Sequence, residues 1–144
     1  MIAGDTNVLV HAHRKDSTWH DAARRCVEDL PEGQTTWAIP RPAIHEFLPI
    51  ANHPLVFKHP TPVSKAMDRV SAWLDSPSLA LLSESGDYWA QFSRGVTSCR
   101  VRGPQIHDAR IAALCLHHGV ECLWTADRDF GRFPDLKTRN PLID

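Results

Sequence analysis

Four carboxylates spread along this chain, Asp5, Glu46, Asp108 and Asp127, fall where strands end, where helices begin, or on a helix face that apolar neighbours would bury. A buried carboxylate is costly unless it pairs with a cation or coordinates a metal. Folding that gathers these side chains would therefore build a site for a divalent ion. Oxygen donors select hard cations such as Mg2+ and Mn2+. An ion held in this way lowers the pKa of water and neutralises charge developing on a phosphoryl group.

Taken singly, each acid also has a plain structural explanation. Asp108 precedes Ile111, Ala112 and Cys115 by three, four and seven residues, which puts it on the apolar face of its helix. An acid in a first turn also compensates the helix dipole, although that role does not require a core-facing position. Glu46 shares a face with Ala43 and Ile50, among Ile44, Phe47 and Leu48; an ion pair with Arg41 would account for it equally well. Asp5, ahead of Thr6 and Asn7, is explained by a helix cap alone, and so is Asp127, with Asp129 in the turn that follows. Only their joint placement favours a metal.

Other chemistries find little support. His11, His13, His20, His45, His107, His117 and His118 form no HExxH arrangement, and the chain has no G-x-S-x-G, GxxxxGK[ST] or GxGxxG. Cys26, Cys99, Cys115 and Cys122 lack CxxC spacing; in apolar stretches such thiols behave as small hydrophobes, which fits a reducing compartment. Net charge is −1 and the pI is near 6.7, so nucleic acid would have to be held by a local patch or a metal. Arg94, Arg100 and Arg102 form the best phosphate-binding strip, though a solvated basic loop describes them at least as well. Arg110 and Arg128 adjoin the acids and are alternative partners for them. Trp37, Trp89 and Trp124 could stack on bases, but aromatics in apolar elements usually belong to the core.

The elements that must position these residues alternate between short apolar strands and amphipathic helices. Strands are expected at Met1 to Asp5, Thr35 to Ile39, Leu79 to Ser83 and Val120 to Thr125, with an edge strand at Lys137 to Arg139. Ala3 and Gly4 make the first of these weak. Thr6 to Arg14 can turn helical, and Ser17 reads as the N-cap of a helix through Leu30 that Pro31-Glu32-Gly33 ends. Pro42 suits the first turn of a helix to Ala51, which Pro49 should kink or end. Further helices are expected over Pro62 to Leu74, Gly86 to Ser98 and His107 to His118, the last closed by Gly119, and a short helical turn over Asp127 to Phe133. The stripe Val63, Met67, Val70 and Leu74 could pack on a partner or on the protein's own core, and the core is the default. The pattern favours one α/β domain over residues 1–144 with an open parallel sheet. Ligands of such sheets bind outside the carboxyl ends of the strands, where Asp5 and Asp127 fall.

These landmarks carry a resemblance. Asp5-Thr6-Asn7-Val8-Leu9-Val10, the Glu46 helix, Ile106 to Leu114 and Leu123 to Phe130 together resemble PIN-domain ribonucleases, and among them the VapC toxins of bacterial toxin–antitoxin pairs. The resemblance implies a three-layer α/β/α, Rossmann-like fold and Mg2+- or Mn2+-dependent cleavage of RNA. It also implies inhibition by a VapB-type antitoxin, and self-association as a homodimer. By residue-wise match Asp5, Glu46, Asp108 and Asp127 are the acidic quartet, with Asp5 and Asp108 the direct metal ligands. Thr6, Asn7 and Thr125 support the site, and Asp129 is either an additional ligand or a further support. Gly4 stands where relatives carry a bulkier apolar residue, which loosens the first strand. A receiver-like, Mg2+-binding phosphoacceptor also sets acids on a doubly wound sheet, but no lysine follows a late strand near the acids. A binding protein whose acids are only caps is the third possibility. Residues 1–5 have neither part of a signal peptide and no run is long enough for a membrane, so a cytoplasmic protein is expected.

Overall fold

The computed structural model describes residues 1–32 and 36–143. Five short strands, β1 (Ile2–Gly4), β2 (Trp37–Pro40), β3 (Leu79–Leu82), β4 (Cys122–Trp124) and β5 (Thr138–Arg139), form one parallel sheet in the order β3-β2-β1-β4-β5. Six helices connect them: α1 (Thr6–His13), α2 (His20–Glu32), α3 (Arg41–Ala51), α4 (Val63–Leu74), α5 (Tyr88–Ser98) and α6 (Gln105–His117). A 3₁₀ turn follows at Arg128–Arg132. Among the described residues no helix is long and apolar enough to cross a membrane.

Period-two alternation splits the core into two layers. Trp37 and Ile39 of β2 pack on one face with Leu9, Val10, Phe47, Val70 and Trp73, from α1, α3 and α4. Ala38 of the same strand packs on the other, with Tyr88, the buried residues of α6, Leu123 and Phe130. This is the expected three-layer arrangement. Ala3 and Gly4 form a strand despite poor propensity because β1 is central and hydrogen-bonded to β2 and β4 on either side. A Cβ built on Gly4 meets nothing within 4 Å, so the space that a larger residue would fill is open.

The strand order fixes where the two halves of the chain part. From β1 the chain winds outward through β2 to β3, then returns to the far side of β1 for β4 and β5. The carboxyl ends of β1 and β4 therefore flank the topological switch point, where open α/β sheets leave a crevice.

Several local expectations need correction. Ser17 does not cap a helix at once: α2 begins at His20, while the Ser17 hydroxyl bonds the His11 ring at 2.6 Å and the Trp19 N–H at 3.1 Å. Gly33 and Thr35 lie outside the described residues. Pro49 does not end α3, which runs on to Ala51; in the last turn its missing N–H removes only one bond. The α4 stripe divides. Val70 is buried with Ala66 and Trp73, whereas Val63, Met67 and Leu74 are exposed. Gly119 does close α6, in the left-handed conformation at φ 70° that a Cβ would disfavour.

Candidate metal centre

Asp5 leaves the end of β1 and caps α1, its Oδ1 accepting the Thr6 N–H at 2.7 Å. Its Oδ2 accepts from the Thr125 hydroxyl at 2.7 Å and from Asn7 Nδ2 at 3.0 Å. The Thr125 hydroxyl also accepts from Asn7 Nδ2 at 3.1 Å and from the Asp127 N–H at 3.0 Å. Asn7 Oδ1 accepts the Ala126 N–H at 2.9 Å. One network thus ties the loop after β1 to the loop after β4 across the switch point. Glu46 comes from the opposite side on α3, which starts where β2 ends, and its Oε2 accepts the Thr6 hydroxyl at 2.9 Å. That bond stands in place of the ion pair to Arg41 that the sequence also allowed.

Asp127 caps the 3₁₀ turn, its Oδ1 taking the Asp129 N–H at 2.8 Å. Asp108 sits in the first turn of α6. Its neighbours Ala109, Ile111, Ala112, Ala113, Leu114 and Cys115 are all buried, so α6 is enclosed on most sides rather than along one stripe. Asp108, Asp127 and Asp129 each offer a carboxylate oxygen, and these oxygens lie within 4.8 Å of one another. Three oxygens at that spacing are a donor set suited to one hard divalent cation. Asp129, which the resemblance offers as either an additional ligand or a support, belongs to the closest group. Asp5 stands beside it with both oxygens engaged by donors.

The electrostatics show the crowding. Asp5 is 4% exposed, and burial raises its pKa to about 6 against the hydrogen bonds from Thr125 and Thr6; the charges of Glu46 and Asp108 add to the rise. Asp108 also reaches about 6, first through burial and then through Asp127, Asp129 and Glu46, with Arg132 acting in the opposite sense. Asp5 thus feels the charges of Glu46 and Asp108, and Asp108 those of Asp127, Asp129 and Glu46; Thr6 bonds Asp5 and Glu46, Asn7 bonds Asp5, and Thr125 bonds Asp5 and the Asp127 N–H.

The cationic residues are arranged differently. Arg110 pairs with Glu84 at 3.2 Å, not with the quartet. Arg94 lines a separate cavity of about 700 Å3 with Gly95, Cys99, Phe133 and Asp135. Arg100 and Arg102 are exposed just ahead of α6. Trp37 is 1% exposed and cannot stack on a ligand. Sequence reasoning passed over Arg132, although a 3₁₀ turn would have placed it one turn beyond Asp129.

Residues 2–136 match the family model of the PIN domain. Ribonuclease VapC43 of Mycobacterium tuberculosis is 32% identical over 142 residues, covering 99% of this chain and 96% of the relative. Ribonuclease VapC48 of the same organism is 29% identical over 138 residues, covering 96% and 95%. Among solved structures, VapBC2 from Rickettsia felis bound to a promoter DNA fragment is similar with a TM-score of 0.70 at 20% identity, covering 96% and 98%, a likeness of fold. The family match over most of the chain and the relatedness to VapC43 over nearly its full length agree, and the chain belongs to the PIN-domain family, in its VapC branch.

Proposed function

We propose that this protein is the toxin of a type II toxin–antitoxin pair, a Mg2+- or Mn2+-dependent endoribonuclease inhibited by a cognate VapB-type antitoxin. The observation that carries the reading is the gathering of Asp108, Asp127 and Asp129 within 4.8 Å, with Asp5 and Glu46 adjoining. These residues would hold a divalent cation, which supplies Lewis-acid activation of water and neutralises phosphoryl charge. Asp108, Asp127 and Asp129 are the ligands that spacing favours, and Asp5 completes the shell where its hydrogen bonds yield. Glu46, held by Thr6, orients the attacking water and takes its proton. Water adds to phosphorus in line and the P–O3′ bond breaks. The products carry 5′-phosphate and 3′-hydroxyl ends, because the 2′-hydroxyl is not the nucleophile. Arg100 and Arg102, ahead of α6, and Arg94 on α5 would hold flanking phosphates. The antitoxin would lie over the acidic crevice, and the toxin would act as a homodimer in the cytoplasm.

Incubation with total bacterial RNA should give site-specific fragments in Mn2+ or Mg2+. Cleavage should stop in EDTA and in Asp108→Asn. Full cleavage by Asp108→Asn, or cleavage indifferent to EDTA, would remove the reading. Co-purification with the product of a short upstream reading frame for a DNA-binding protein should silence the activity.

A further inference from the structure

The 3₁₀ turn Arg128–Arg132 sets two opposite charges on one side of itself. A 3₁₀ helix has three residues per turn, so positions three apart are eclipsed, and Arg132 lies one turn past Asp129. The turn packs on α6, which carries Asp108, and the Arg132 charge is felt there. Yet Arg132 joins none of the ion pairs of the described residues, which are Met1–Glu121, Arg14–Asp16, Arg24–Glu28 and Arg110–Glu84. Its Nε–H is buried and has no acceptor among the described residues. A guanidinium among carboxylates ordinarily closes on one of them as a two-bonded fork. The backbone is not free to wander, because Phe130 and Phe133 on either side are buried with ring centroids 6.2 Å apart.

An unspent guanidinium next to an acid cluster has an evident partner in the reaction. One divalent ion among the three carboxylates of Asp108, Asp127 and Asp129 leaves that group with a net charge of about −1, and a phosphodiester brings another negative charge to it. A fixed cation is needed to offset this, and the planar fork of arginine matches phosphate oxygens. We propose that Arg132 is a catalytic residue that donates to a non-bridging oxygen of the scissile phosphodiester beside Asp108 and Asp129. The inference rests on the nuclease reading of the same site. Charge on those oxygens grows as water adds, so the contact tightens toward the transition state.

The test compares the unsubstituted protein with Arg132→Ala and Arg132→Lys on total bacterial RNA, and then on an oligonucleotide carrying the mapped site. Loss of one such donor should lower kcat by about 100-fold or more with little change in KM. Millimolar guanidinium should restore part of the Arg132→Ala activity. Arg132→Lys should keep an intermediate rate, since it retains the charge and loses the fork. Mn2+ affinity by calorimetry should be unchanged or tighter in Arg132→Ala, because a like charge has left the ion's surroundings. In the unsubstituted protein, the arginine Nε–H resonance that is missing from Arg132→Lys should move when the oligonucleotide is added with Ca2+.

Cleavage by Arg132→Ala within about threefold of the unsubstituted protein would overturn the proposal, as would a rate loss matched by lost Mn2+ affinity or melting temperature. An Nε–H signal unmoved by RNA would overturn it even if Arg132→Ala failed to fold. An unsubstituted protein that cleaves no RNA would dismiss the nuclease reading itself, and the Arg132 role with it.

Discussion

Neutralising Asp108 should make the metal-free protein more stable and make it deaf to metal. Burial first, and then the charges of Asp127, Asp129 and Glu46, raise its pKa to about 6 from the ordinary 3.8. Unfolding returns the group to its ordinary value, so the unfolded chain releases the proton more readily than the native one. The ionised group therefore works against folding. The penalty is absent below about pH 3.8, builds between there and about pH 6, and is full above. A rise of that size corresponds to about 3 kcal/mol. Asp108 is only half-buried, so solvent screening reduces this to about 1.5 kcal/mol. For a domain of this length, Asp108→Asn should then melt about 4–5 °C higher than the unsubstituted protein in EDTA at pH 8. About half of that gain should remain at pH 5, and none at pH 3.5. Added Mn2+ should reverse the order: at a hundredfold excess over its Kd the ion stabilises a binding-competent protein by about 2.7 kcal/mol, and the variant forgoes this. Melting curves in EDTA and Mn2+ at the three pH values are the assay. A variant that melts lower than its parent in EDTA at pH 8, or gains as much from Mn2+, would refute the electrostatic account.

Thr125→Val should cost about 3 kcal/mol in urea unfolding, since the buried hydroxyl serves Asp5, Asn7 and the Asp127 N–H together; a loss under about 1 kcal/mol would show that the network is not needed to fix the loops. Gly4→Ala should raise stability by about 0.5–1 kcal/mol, because the added methyl meets open space and glycine's unfolded-state freedom is reduced; lower stability would mean that the space is not free in solution. Alkylation with iodoacetamide at pH 7.5 should spare Cys115, which is fully buried with its pKa pushed up to about 12, and should modify Cys99, which is partly exposed. Mass spectrometry showing Cys115 alkylated first would contradict the packing of α6.

The local structure was legible because its signals are local. Pro42 in a first helical turn, Gly119 past a last one and the apolar runs of β2 and β3 act through neighbouring backbone, and they placed α3, α6 and the strands to within a few residues. Helix α2 was misplaced at its start because Ser17 spends its hydroxyl on His11, at the end of the preceding helix, and on the nearby Trp19 N–H. The default reading of the α4 stripe, as wholly core, failed for a related reason. Periodicity tells which residues share a face, but what stands opposite decides whether that face is covered. Here Ala66, Val70 and Trp73 meet the core, and Val63, Met67 and Leu74 do not.

The chain's own order of residues determined which acids sit at element ends, because caps, strand ends and helical spacing are written over three or four positions. It could not determine which carboxylate oxygens would lie closest together. That depends on β4 returning to the side of β1 opposite β2, a pairing between residues more than a hundred positions apart. The return brings Asp127 and Asp129 against α6 beside Asp108, and leaves Asp5 bonded to Thr6, Asn7 and Thr125. It also brings Arg132 within electrostatic range of Asp108. Long-range strand order, set by burying both faces of one sheet, turned a scatter of acids into a site.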